Sequence, residues 1–194
     1  MKPAFTLLEL LLVITIIGVL VSVLVVDFVG VKQRQELSLM ADQSVAMLQQ
    51  ARGDVQAGKV RTVWDEAGEV EEKIYLCEGA FFETDSGAPT WVVTDYDRDS
   101  GSCDVENPRP EHYGISTGEA FVDAIDIGGT SSFNLYVLYT PPSGELVFYE
   151  PNTGFLGGDA SIHFSHTTEL DLDISLEISA LTGLISLSTG DEEE

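Results

Sequence analysis

A chain of 194 residues and 21.0 kDa has room for one modest domain and an accessory segment, which excludes a large multidomain enzyme. Nine basic against 33 acidic side chains give a net charge of −24, so phosphate-rich partners are repelled and direct nucleic-acid binding is not expected. Hydrophobic residues make up an ordinary 44%, but they are unevenly placed: residues 10–26 carry no charge, and nearly all the acid follows them.

The chain opens with a short basic leader, Met1-Lys2-Pro3-Ala4, followed by Phe5-Thr6-Leu7-Leu8-Glu9 and the uncharged run that stops at Asp27. At about 1.5 Å per helical residue, the stretch from Phe5 to Val26 covers roughly 30 Å, the thickness of a bilayer core. A helix buried in a soluble domain is rarely apolar on every side. No small-x-small step follows the run, so it is expected to stay attached rather than be removed as a secretory signal. Positive charge before it and an acidic body after it orient that body away from the cytoplasm. Glu9 conflicts with a plain anchor, because a carboxylate in lipid costs about 3 kcal/mol or more unless it is paired or protonated.

The segment Phe5-Thr6-Leu7-Leu8-Glu9-Leu10-Leu11-Leu12-Val13-Ile14-Thr15-Ile16-Ile17-Gly18-Val19-Leu20 resembles the N-terminal signature of type IV pilins and type II secretion pseudopilins. The resemblance implies cleavage by a prepilin peptidase between Ala4 and Phe5, with N-methylation of the new Phe5 amine. Glu9 then becomes the fifth residue of the mature chain, the position of the family's glutamate. It also implies that the Phe5 amine of one subunit neutralises Glu9 of a neighbour when helices stack in a filament, a pair that disfavours misaligned stacking. Two departures stand out. Ala4 replaces the glycine usual before the cut, and no proline follows in the second half of the run, so a proline kink is not expected.

Beyond the apolar run, Leu37, Met40, Ala41, Val45, Leu48, Ala51 and Val55 recur at helical spacing, while Gln33, Arg34, Glu36, Asp42, Gln43, Gln50 and Asp54 fall largely on other faces. This stripe is expected to pack on a sheet, and the helix to stop near Gly58. The period then changes to two. Residues 60–64, 73–76, 91–94, 121–127, 133–139, 145–150 and 170–178 read as strands, with Pro141-Pro142-Ser143-Gly144 as a turn.

The expected architecture is α+β and pilin-like: a long N-terminal helix, membrane-spanning in its first half, packed on a mostly antiparallel body. Residues 1–4 form the leader, 5–57 the helix, 58–190 the body and 191–194 an acidic tail without apolar residues to bury. Tyr139-Thr140-Pro141-Pro142-Ser143-Gly144 and Ala180-Leu181-Thr182-Gly183-Leu184-Ile185-Ser186-Leu187 resemble the hairpin and final strand of the H-type minor pseudopilin and related minor pilins. Leu184 stands where that group commonly has a basic residue.

Three further constellations are candidates for chemistry. Asp95, Asp97 and Asp99 alternate, and Glu106 falls twelfth from Asp95, echoing a calcium loop; Ser100 stands where the sharp-turn glycine belongs, and Arg98 adds positive charge. Calcium is the one candidate cofactor, set against a solvated acidic loop. Cys77 and Cys103 allow one disulfide and no four-thiolate metal site, and an oxidising exterior favours the bridge. His163 and His166 could in principle bind a metal but lack evident co-ligands, and read instead as surface or strand-edge residues. No nucleophile elbow, phosphate loop or dinucleotide fingerprint occurs, so the chain reads as a substrate of the peptidase rather than an enzyme.

The resemblance implies a structural subunit, a minor pseudopilin of the type II secretion pseudopilus. Its partners would be other pilins or pseudopilins, the prepilin peptidase and the inner-membrane assembly platform. The chain would be single-pass in the inner membrane, with its body in the periplasm or outside the cell. The alternatives are a minor type IV pilin serving adhesion, motility or DNA uptake, and a membrane-tethered calcium-binding domain.

Overall fold

The computed structural model describes residues 7–64, 70–73, 76–85, 87–106, 108–111, 118–167 and 173–189, with the backbone alone for 23–27, 29, 62–64, 70–73 and 111. The fold is α+β, and the strand pairs among the described residues are antiparallel.

Helix α1 is Leu7–Gln56. It ends where Gly58 takes a left-handed φ of 62°, a conformation that glycine adopts without a Cβ clash. Lys59 closes the end by ion-pairing with Asp54 at 2.7 Å. The expected stripe is the buried one: Leu37, Met40, Ala41, Leu48, Ala51 and Val55 lie in the core, with Val45 packed against it. Gln33, Met47 and Ser44 are buried as well, Ser44 by donating its hydroxyl to the Met40 carbonyl within the helix.

The body holds two larger sheets. The first orders its strands β11 (Gly154–Leu156), β10 (Glu145–Glu150), β9 (Asn134–Thr140), β3 (Leu76–Glu83), β4 (Thr90–Asp97) and β5 (Ser102–Cys103), with β6 (Arg109–Glu111) also on β4. The second runs β14 (Ile185–Thr189), β13 (Ile174–Ile178), β12 (Ala160–His166), β7 (Ala120–Ile127) and β8 (Thr130–Ser132). A separate hairpin joins β1 (Arg61–Trp64) and β2 (Val70–Lys73). The C-terminal half of α1 packs on both larger sheets, most heavily on β3, and one core runs from the helix stripe through Phe82, Val137 and Tyr139 to Ile125, Ile162 and Leu176.

Several strand boundaries differ from the sequence reading, for identifiable reasons. The strand expected at 73–76 is replaced by β2 ending at Lys73 and β3 starting at Leu76. From Leu76 to Ala80 the residues of β3 are buried in succession, covered on both faces, so the alternation that would announce a strand is missing. A Cβ at Gly79 would collide with the Val137 carbonyl, which is why glycine sits in this central strand. Strand β12 was not expected, although Ala160, Ile162 and Phe164 alternate with Ser161, His163 and Ser165. Of the strand expected at 170–178, the structure has β13 at Ile174–Ile178, and 170–172 lie outside the described residues, as does the 191–194 tail.

Candidate functional site

The two halves of α1 differ in what covers them. Leu7 is 81% exposed, Ile14 61% and Phe28 71%, and the intervening large apolar side chains that are described are exposed too. From Gln33 onward the inward face is covered by the sheets, with Met40 and Leu48 at 0%. Glu9 lies in the first turn of the exposed half. Ala4 and Phe5, the expected cleavage and methylation positions, lie outside the described residues. Among the described residues no helix is long and apolar enough to cross a membrane. The apolar run expected to do so extends to Val26, and the side chains of 23–27 are outside the described set.

Two polar clusters fasten the covered half of α1. At its start, Glu36 accepts from His166 Nε2 at 3.1 Å and from the Glu119 amide at 3.4 Å, and pairs with Lys32 at 3.2 Å. The His166 contact first, then Lys32, holds the Glu36 carboxyl below its ordinary range. Gly118, at φ 58°, passes so close that a Cβ would meet the Glu36 carboxylate. At the other end, Arg61 donates through Nε at 2.9 Å and Nη2 at 2.6 Å to the two oxygens of Glu78, reaches Asp54 at 3.2 Å, and lies 5.4 Å above the Trp91 ring. Glu78 is 2% exposed, and its burial raises its pKa despite the arginine.

The acidic candidates are spread along a strand and turn rather than gathered. Asp95 and Asp97 belong to β4, and Asp95 is held by Arg109 Nη2 at 2.9 Å. Asp97 accepts from the Ser100 hydroxyl at 2.8 Å and the Asp99 amide at 2.9 Å, contacts that lower its pKa. The Glu106 amide donates to Asp104 at 3.1 Å. Among the described residues, which include Asp95, Asp97, Asp99 and Glu106, no group of three or more His, Cys, Asp or Glu side chains is placed to hold a metal ion.

Cys77 and Cys103 form a disulfide that ties β3 to β5 beneath Leu138. His163 and His166 do not share a site. Burial alternates along β12, placing His166 on the core face beside Glu36 and His163 on the other face, 3.4 Å from Asp173 and 3.8 Å from Asp126. Sequence reasoning missed both fastening clusters. Glu36 and His166 stand 130 positions apart, and no local pattern links them.

Searches against protein-family models, curated proteins and solved structures find no match for this chain.

Proposed function

We propose that this protein is a structural subunit of a secretion filament, a minor pseudopilin of the type II secretion pseudopilus. The observation that carries the reading is the division of α1, in which one helix has a covered half fastened to the body and an exposed half lined by Leu, Ile and Val. So large an apolar surface needs a non-aqueous environment. In this reading the exposed half lies first in the inner membrane and then among the helices of neighbouring subunits, while the β body faces the periplasm. Glu9 selects the stacking register, because a carboxylate among apolar side chains favours the arrangement that brings it a cation. The Phe5 amine, freed by cleavage after Ala4, is that cation. The same division would serve an extended type IV pilus; export of folded cargo rather than of a long surface fibre is the distinguishing activity.

The test uses a cysteine at Leu20, on the exposed half, in cells carrying the assembly machinery. Neighbouring subunits should cross-link through their helices on oxidation, and Glu9→Leu should lower the yield at least several-fold and impair export. Cross-linking and export unaffected by Glu9→Leu would overturn the proposal.

A further inference from the structure

In so acidic a protein, most described cations meet a carboxylate: Lys32, Lys59, Arg61 and Arg109 each do. Arg52 does not. Among the described residues its guanidinium hydrogen-bonds only to the main-chain oxygen of Gly183, at a long 3.4 Å. It stands on the covered half of α1, beside a cavity of about 320 Å³ between the helix and residues 182–185.

The cavity reaches Tyr139 of β9, which is 0% exposed and whose hydroxyl has no hydrogen-bond partner among the described residues. A buried hydroxyl without a partner carries an uncompensated desolvation cost, and such groups in native structures are rare. Burial pushes the Tyr139 pKa up to about 12, against the opposing charge of nearby Arg52, so the phenol keeps its proton and is a donor throughout the physiological range.

The opposite wall is a fixed turn. The Gly183 amide donates to the Ser179 carbonyl at 2.8 Å, the Ser179 amide donates to the Leu184 carbonyl at 2.9 Å, and Gly183 has φ 63°. Thr182 Oγ1 accepts from the Leu184 amide at 3.2 Å and so retains its own proton to donate. Gln49 adds an amide at the rim, and Leu184 and Ile185 supply apolar wall. Arg52, Tyr139, Thr182 and Gln49 thus bring donors to a space at the small end of the ligand-pocket range.

We propose that the cavity between α1 and residues 182–185 binds a carboxylate of protein origin, an Asp or Glu side chain or a chain terminus, with Arg52 as its charge partner and the Tyr139 and Thr182 hydroxyls as donors. A guanidinium matches a carboxylate in a planar two-point contact, which the single long bond to Gly183 leaves open. The carboxylate comes either from this chain's own acids at 191–194, which follow β14, or from another subunit. The site lies in the body and goes beyond the filament reading, which could fail without affecting it.

The test follows the arginine side-chain and tyrosine ring NMR signals of the full chain in detergent micelles, during titration with sodium acetate and with the peptide Gly-Asp-Glu-Glu-Glu, each against sodium chloride at equal ionic strength. The expected result is a saturable shift of Arg52 and Tyr139 with carboxylate and not with chloride. Arg52→Gln weakens binding at least tenfold and Tyr139→Phe several-fold, while Arg34→Gln, an exposed arginine on the same helix, leaves it unchanged. If Tyr139→Phe unfolds the protein, the two arginine variants carry the comparison. Removing 191–194 separates the sources: several-fold tighter peptide binding assigns the site to the chain's own tail, and unchanged binding assigns it to another chain. Equal shifts with chloride, or Arg52→Gln binding like the native chain, would overturn the proposal.

Discussion

The two halves of α1 share a backbone but not a folding logic. The half after Gln33 keeps a 3.6-residue stripe because only one face meets the sheets, and its polar side chains reach specific partners: Glu36 to His166, Asp54 to Arg61, Arg52 toward Gly183. The half before it is dominated by large apolar side chains, exposed wherever they are described, and contributes none to the core. Among the described residues, the core draws on the second half of α1 and on none of the first. In the proposed reading, that half serves contacts outside the body, with lipid or with other helices.

The sharpest way to break this division is to injure the fastened half. Leu48→Ala, at a fully buried position, should cost about 2–5 kcal/mol through lost burial and a cavity between helix and sheet, measured by chemical denaturation in micelles. Arg61→Ala should cost about 3–5 kcal/mol, since it leaves the Glu78 carboxylate buried without its cation. Because the pKa of Glu78 is already raised, the damage should be full at neutral pH and shrink on acidification as the carboxyl takes up a proton. An Arg61→Ala penalty that grows toward acid would contradict that account.

Reduction of the Cys77–Cys103 bridge should cost about 2–4 kcal/mol, read as a lower denaturation midpoint with dithiothreitol. Glu36→Gln should cost at most about 1 kcal/mol at pH 7. The folded pKa of Glu36 lies below its ordinary value near 4.5, so its stabilisation is present above that value and is lost as pH falls through the folded pKa. The native and Glu36→Gln melting curves should therefore converge in acid. Smallest of all, Leu12→Ala on the exposed half should change stability in micelles by no more than about 0.5 kcal/mol. A Leu12→Ala loss comparable to that of Leu48→Ala would erase the distinction between the halves.

Much of this fold was legible in the sequence where one periodicity held over a long window. The stripe from Leu37 to Val55 is such a case, as is the alternation of Ile174, Leu176 and Ile178 in β13. Strand β12 carries the same kind of alternation, with Ala160, Ile162 and Phe164 buried and Ser161, His163 and Ser165 less so. Strand β3 was not legible, because a strand covered on both faces loses the period-two signal, and Glu78 looks like a solvent-facing acid until Arg61 is seen against it. The acidic loop is a different case: with 33 acids in the chain, carboxylates fall at suggestive spacings by chance, and Asp95 is paired with Arg109 from a strand fourteen positions away. The Arg52 cavity is assembled from α1, β9 and the turn before β14, so no local motif announces it.

The central claim, that the exposed half of α1 belongs to a processed filament subunit, is tested most directly by the mass of the protein recovered from the membrane of cells that express the assembly machinery. The account predicts a chain that has lost residues 1–4 and begins at a Phe5 carrying one added methyl group. A chain still beginning at Met1 would contradict it, since the Phe5 amine that Glu9 requires would not exist.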